Sequence, residues 1–184
     1  KLRLPQSWTA KASNMPEATR CGFIALIGAP NAGKSTLINA LVGSKVAIVS
    51  HKVQTTRTLV RGIALAGTAQ LVFIDTPGIF APKRRLDRAM VKAAWSGAHD
   101  ADIVGLLIDA RKGLDEEAEA ILGKLADVRP RKIAIINKVD LVAKEALLKL
   151  TQDLNARARF DATFMVSALT GDGQPPFEDL HPHR

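Results

Sequence analysis

Apolar residues along this chain come in short runs that alternate with segments of helical period. Cys21–Gly28 is a nearly unbroken apolar run ending at a glycine, and it predicts a buried strand. Lys34–Val42 carries a helical pattern. Leu59–Leu65 and Gln70–Asp75 predict two strands joined by a short turn at Gly67, the pattern of a hairpin. Leu86–Ala98 predicts a helix, Ile103–Asp109 a strand and Leu114–Asp127 a helix. Lys132–Asn137 predicts a strand, Ala143–Ala156 a helix and Phe160–Val166 a last strand. Strands alternating with helices imply an α/β fold, with a mostly parallel sheet covered by helices on both faces. Ligands of such sheets sit beyond the carboxyl ends of the strands.

The ends of the chain lack this pattern. Residues 1–20 show neither period and predict a disordered leader, within which Met15 is a candidate natural start. Residues 21–173 form the domain, and 174–184 predict an irregular tail. In that tail Pro175 and Pro176 permit only a helix start and Pro182 blocks continuation, so at most one turn fits at Phe177–Leu180.

Composition narrows the class. With 184 residues, 47% apolar and 24% charged, the chain supports one ordinary globular domain. The apolar stretch Ile103–Ile108 is far too short to span a bilayer, so no transmembrane segment is expected. No apolar signal-peptide core precedes the domain. The single cysteine, Cys21, excludes an internal disulfide and is read as a small core residue near a strand start in a reducing cytoplasm. Net charge is +8, and Lys83, Arg84, Arg85, Arg88 and Lys92 crowd one segment against Asp87 alone. That segment suits nucleic-acid phosphates or a solvated face, and both readings stay open. Aromatic content of 4%, with no tyrosine, argues against a stacking platform for single-stranded bases.

The candidate chemistry follows strand ends. Gly28-Ala29-Pro30-Asn31-Ala32-Gly33-Lys34-Ser35 fits the P-loop pattern G-x-x-x-x-G-K-[ST], after a strand and before a helix as the pattern requires. Such a loop turns its N–H groups inward as an anion nest, and the helix N-terminus adds positive potential. Asn31 to Thr36 are therefore the phosphate-side binding residues. Lys34 supplies a charge for the β- and γ-phosphates, and the Ser35 hydroxyl suits Mg²⁺. Asp75-Thr76-Pro77-Gly78 follows the next strand pair. There Asp75 can hold Mg²⁺ through water and the Gly78 N–H can reach a γ-phosphate.

Asn137-Lys138-Val139-Asp140 ends another strand and selects a base. The Asp140 carboxylate can accept from guanine N1–H and its 2-amino group, a pair of donors that adenine lacks. Asn137 can bond the guanine edge and tie this loop to the P-loop, and the Lys138 stem can pack on the base face. Ser167-Ala168-Leu169 follows the last strand, where the Ala168 N–H can donate to guanine O6. Within Gln54-Thr55-Thr56-Arg57, Thr56 is the favoured contact to Mg²⁺ and the γ-phosphate, with Thr55 the alternative.

Taken together these segments resemble the G1 to G5 motifs of translation-factor-class GTPases. The spellings Gly-Ala-Pro-Asn-Ala-Gly-Lys-Ser, Lys-Val-Gln-Thr-Thr-Arg and Asp-Thr-Pro-Gly, with Leu86–Met90 and Ala98–Asp102, are most similar to the Era family. The resemblance runs from about Cys21 to Gly173, and the choice over EngA and MnmE rests mainly on Gln54–Arg57. It implies a GTPase with Lys34, Thr56 and Gly78 at the reacting phosphate and Mg²⁺ as cofactor. It further implies partners in the small ribosomal subunit and its rRNA, and a peripheral membrane association. Era proteins carry an RNA-binding KH domain after the G domain, and no G-x-x-G loop follows Gly171 here.

The family's long C-terminal helix also looks missing. The chain therefore reads as a truncated or frame-shifted Era with an apolar strip exposed beside Phe23–Ile27. Ras-type proteins place a glutamine after D-x-x-G, where this chain has Ile79, so slow intrinsic turnover is expected. MnmE-like GTPases with an asparagine in the P-loop use potassium, which by resemblance would sit near Asn31. The rival readings are a truncated guanine-nucleotide binder with little hydrolysis, an EngA- or MnmE-like GTPase, and a module docking on RNA or a ribosomal protein.

Overall fold

The computed structural model describes residues 20–43, 60–66, 69–74, 76, 79 and 85–173. In chain order its elements are β1 (Arg20–Gly28), α1 (Lys34–Gly43), β2 (Val60–Ala66), β3 (Ala69–Ile74), α2 (Arg85–Asp100), β4 (Ile103–Asp109), α3 (Glu116–Leu125), β5 (Arg131–Asn137), α4 (Lys144–Arg157) and β6 (Ala162–Val166). The strands form one sheet in the order β2-β3-β1-β4-β5-β6. β2 runs antiparallel to β3, as a hairpin requires, and every other pairing is parallel. The α/β class with a mostly parallel sheet is therefore borne out.

Alternation along each strand divides the core. Ala25, Ile27, Val104, Leu106 and Ile108 face one side, where Val91, Ala94 and Ala98 of α2, Ile121 and Leu125 of α3, and Leu150 and Leu154 of α4 cover them. Ile24, Leu26, Leu71, Phe73 and Leu107 face the other, under Leu37, Ile38 and Leu41 of α1. Helices thus cover both faces. β4 lies between β1 and β5, and all seven of its residues are buried. This is why Ile103–Ile108 reads as an unbroken apolar run: a central parallel strand has no solvent face.

Local chemistry sets the element ends. Asp115 caps α3, its Oδ1 accepting the Ala118 N–H at 2.9 Å. Glu116, Glu117 and Glu119 then place negative charge in the first turn, where the helix dipole favours it. The cap makes α3 shorter than the expected Leu114–Asp127. β6 starts at Ala162, two residues later than expected. Just before it, Asp161 donates its N–H to the Lys132 carbonyl at 2.8 Å and accepts the Lys132 N–H on its carboxylate at 3.0 Å. Phe160 serves packing against the α2–α4 side rather than strand pairing.

The strand beside which an exposed apolar strip is expected is itself largely buried. Ile24, Ala25, Leu26 and Ile27 are at most 2% exposed, and only Phe23, near the start of the strand, is 42% exposed. Cys21, expected in the core, is instead exposed on β1, before the continuously buried stretch that starts at Ile24. β1 begins at Arg20, the last residue of the expected leader, because it pairs with Ala69 of β3. Residues 1–19, the Gly67 turn and the tail from residue 174 lie outside the described residues.

Leu106 is fully buried in the central strand. Leu106→Ala removes its side chain from the α2–α4 core and is expected to cost about 2–5 kcal/mol, read as a lower urea midpoint with little change in slope.

Candidate functional site

The carboxyl ends of β1, β4, β5 and β6 lie side by side, and four loops meet there. The first runs from Gly28 into α1. Its Lys34 folds back over the loop, donating from Nζ to the carbonyls of Gly28 and Ala29, each at 2.9 Å. The Leu37 N–H reaches the Gly33 carbonyl at 2.9 Å, so helical bonding begins at the glycine before α1. Gly33 has φ +100, a conformation side chains rarely adopt, and a Cβ there would collide with the Asn137 amide nitrogen. The glycine is required by the neighbour as much as by the turn. Asn31 also lies in the left-handed region, at φ 62. Ser35 and Thr36 are exposed at the start of α1, and Ala32 is buried.

Asn137, at the end of β5, is 2% exposed. Its Nδ2 donates to the Ala32 carbonyl at 2.9 Å, and its Oδ1 accepts the Ala168 N–H at 3.0 Å. One amide thus ties the P-loop to the loop after β6. This bears on two expectations. Both ends of the Asn137 amide are engaged inside the protein, and its nitrogen keeps a second N–H beyond the one given to Ala32. The Ala168 N–H, expected to meet guanine O6, here meets Asn137. Asp140 itself is exposed, and its carboxylate takes part in no hydrogen bond or ion pair among the described residues.

Lys138 stands at φ 66 and opens a 3₁₀ turn, Val139–Leu141, that sequence periodicity did not predict. Its Nζ crosses to the P-loop and donates to the Asn31 carbonyl at 2.8 Å. The two non-glycine residues with positive φ among those described are therefore bonded to each other. In the loop after β6, Ser167 is fully buried and its Oγ accepts the Thr170 N–H at 3.2 Å, while Leu169 is 84% exposed. The Gly171 N–H closes that turn on the Ser167 carbonyl at 2.9 Å.

From the segment after β3, Thr76 is buried and its Oγ1 donates to the Leu26 carbonyl. The Ile79 N–H donates to the Gly28 carbonyl at 3.0 Å, and the Ile79 side chain is only 5% exposed, packed in the α2–α4 core. Asp75 and Gly78 lie outside the described residues, as do Thr55, Thr56 and the basic segment before Arg85. No helix among the described residues is long and apolar enough to cross a membrane.

Residues 23–138 match the family model described as 50S ribosome-binding GTPase. The chain belongs to that family. Within it, the chain is similar to GTPase Era of Afipia carboxidovorans, 69% identical over 164 residues, covering 87% of this chain and 53% of the relative. GTPase Era of Bradyrhizobium diazoefficiens is 66% identical over 166 residues, covering 90% and 54%. The chain spans about half the length of these relatives. Among solved structures it resembles Era in complex with MgGDPNP and nucleotides 1506–1542 of 16S ribosomal RNA. That likeness has a TM-score of 0.72 and 34% identity, over 89% of this chain and 55% of the other. The resemblance to Era read from the motifs is borne out.

One residue of this family member's site escaped the sequence reading. Asp109, the last residue of β4, is 5% exposed and accepts the Lys138 ammonium on Oδ2 at 2.5 Å. Arg111 adds its own N–H to Oδ1 at 3.0 Å, Nε to Oδ1 at 3.2 Å and Nη2 to Oδ2 at 2.9 Å. The available signal was an acid closing the apolar run Ile103–Ile108 at the sheet edge where the motifs converge. Burial works against its ionisation, and the Arg111 and Lys138 hydrogen bonds outweigh burial, so its pKa is held at about 2.

In the unfolded chain such a carboxyl titrates near ~4. Between those values the unfolded chain binds the proton more readily. Asp109 therefore contributes on the order of 2 kcal/mol above about pH 4–5, and this fades as pH falls toward about 2. Urea midpoints measured from about pH 5 to 2.5 should fall more steeply for the parent protein than for Asp109→Asn.

Proposed function

We propose that this chain binds GTP and hydrolyses it to GDP and phosphate, as the nucleotide switch of an Era-type protein. The observation that carries the reading is the joining of the P-loop to the base-selecting loop through Asn137 and Lys138. A phosphate cradle and a base reader held at fixed separation suit a whole nucleotide, not a lone anion. Asp140, exposed beside them, offers the carboxylate that guanine's two donors require.

In the proposed reaction a water oxygen attacks the γ-phosphorus in line as the bond to the β–γ bridging oxygen breaks. GDP leaves with that electron pair, and the water's proton passes to phosphate or solvent. The P-loop N–H groups and the positive end of α1 bind the phosphates, and Lys34 neutralises developing charge. The Gly78 N–H and Thr56 complete the γ-phosphate contacts in this reading. Ile79, turned into the core, cannot orient the water, so the chain's own turnover is slow.

The residues fit Mg²⁺ as a shared ion. Ser35 is exposed at the first turn of α1, and with Thr56 and Asp75, which the motifs alone assign, it would make an all-oxygen donor set too small for a closed protein cage. When bound there, the ion would neutralise negative charge on the phosphates.

A target in the small ribosomal subunit is supported by the relatives named GTPase Era and by the solved Era bound to 16S ribosomal RNA. The basic residues from Lys83 to Lys92 suit such a partner, and the lone Cys21 suits a cytoplasmic setting.

Asp140→Asn tests the base assignment. An amide presents a donor where guanine also donates, while xanthine offers an acceptor at its 2-position. GTP affinity should drop by a factor of up to roughly 10⁴ and xanthosine triphosphate should become the better ligand. A variant that binds GTP as tightly as the parent refutes the guanine reading.

We further propose that K⁺ sits beside the Asn31 side chain and adds positive charge at the phosphates, by analogy with MnmE-like GTPases. Hydrolysis should then be faster in KCl than in NaCl at matched ionic strength, and Asn31→Ala should abolish the difference. Equal rates in the two salts dispose of the potassium site.

A further inference from the structure

We infer that Asp109 is a positioning residue for nucleotide binding, which acts through the Lys138 ammonium to hold the P-loop and the base-selecting loop in register. This rests on the guanine-nucleotide reading above and names a residue that the sequence motifs do not contain.

Three arguments support it. The first is connectivity. Lys138 Nζ donates at once to Asp109 Oδ2 at 2.5 Å and to the Asn31 carbonyl at 2.8 Å. One ammonium therefore links the ends of β4 and β5 to the P-loop. The Asp109 carboxylate cannot swing away from it, because Arg111 grips both oxygens. A gripped carboxylate fixes the ammonium, and the ammonium fixes a carbonyl of the phosphate loop.

The second is backbone conformation. Asn31 and Lys138 both stand at positive φ, 62 and 66. Asparagine enters this region readily and lysine does not, so the Lys138 conformation must be held by its surroundings. The Lys138-to-Asn31 bond joins them, and Asp109 holds the donor of that bond.

The third is packing. A cleft lies between the back of the P-loop and the turn after β4, lined by Ala29, Pro30, Ala32, Asp109, Lys112 and Gly113 among others. The apolar walls of that small cleft, Leu107 and Ile108 among them, give no directional restraint, and the polar bridge supplies one. Charge points the same way. Two cations meet one buried carboxylate, so neutralising Asp109 leaves the Lys138 ammonium without its counter-charge, free to turn toward solvent.

The experiment is a double-mutant cycle on the whole chain, reading dissociation of a fluorescent N-methylanthraniloyl GDP. Asp109→Asn and Lys138→Met should each speed dissociation, Asp109→Asn by roughly 10-fold or more, the range for a lost hydrogen bond to a charged group. The double variant should dissociate no faster than Lys138→Met alone, because the carboxylate acts through the ammonium. Asp109→Glu should recover most of the parent's slow rate. Independent, multiplying effects of the two substitutions, or an Asp109→Asn variant as slow as the parent, overturn the inference while leaving the guanine reading intact. A folded parent that retains no labelled GDP overturns both. Should Asp109→Asn not fold, Arg111→Ala replaces it. That side chain is 51% exposed, and its loss should speed dissociation several-fold; an unchanged rate there also overturns the inference.

Discussion

A buried primary amide must satisfy both its donor and its acceptor, and in this protein that requirement fixes the site. Asn137 is almost wholly enclosed, with its nitrogen on the Ala32 carbonyl and its oxygen on the Ala168 N–H. Leaving either end unpaired in such surroundings costs about 1–3 kcal/mol. The loops after β1 and β6 are therefore pinned to the end of β5, whatever else they touch. Gly33 follows from the same constraint, since any Cβ would meet that amide. The Asn137 carbonyl joins in too, accepting the Ala110 N–H at 2.9 Å and drawing the turn after β4 against β5.

The sheet makes these meetings available. Parallel pairing of β1, β4, β5 and β6 brings their carboxyl ends to one edge, so residues 31, 109, 138 and 168 become neighbours despite their separation in the chain. The antiparallel strand β2 sits at the sheet's outer end, beyond β3, away from this junction. Covering helices on both faces leave the strand ends as the place where polar groups can gather without breaking the core. Asp109 shows the cost of that position. As the last residue of a fully buried strand it would be a poor place for a charge, and it is tolerable because two cations reach it.

Much of this was legible in the sequence, for physical reasons that differ by element. Ile103–Asp109 is recovered to the residue because a strand buried on both faces has no polar interruption. The hairpin of β2 and β3 follows from two apolar runs with too few residues between them for a crossover. Helix and strand ends are less legible because side chains set them: Asp115 starts α3 late, and Asp161 delays β6. The motifs gave the P-loop, Asn137, Lys138 and Asp140, since spacing after a strand end is a local property. Asp109 was missed because its role needs a partner 29 residues away that only the sheet brings near. The 3₁₀ turn after Lys138 was missed because one left-handed residue leaves no periodic trace.

The same geometry separates binding from hydrolysis. Through Asn137, Lys138 and Asp109, the P-loop and the loop after β5 form one braced unit. In the reading proposed above, a site braced in this way has little conformational entropy to lose when it closes on a nucleotide. On the side after β3, Thr76 is tied to the Leu26 carbonyl and Ile79 to the Gly28 carbonyl. Ile79, at the position where a water-orienting side chain would be wanted, is committed to the core by its side chain and to Gly28 by its N–H. Moving it out would expose a buried isoleucine, at a cost of roughly 1.5–3 kcal/mol, and would gain no hydrogen bond to water from its side chain. In that reading, firm nucleotide binding and slow turnover would be two consequences of one arrangement: the loops that would hold the nucleotide are tied together by Asn137 and Lys138, while the Ile79 side chain is committed to the core.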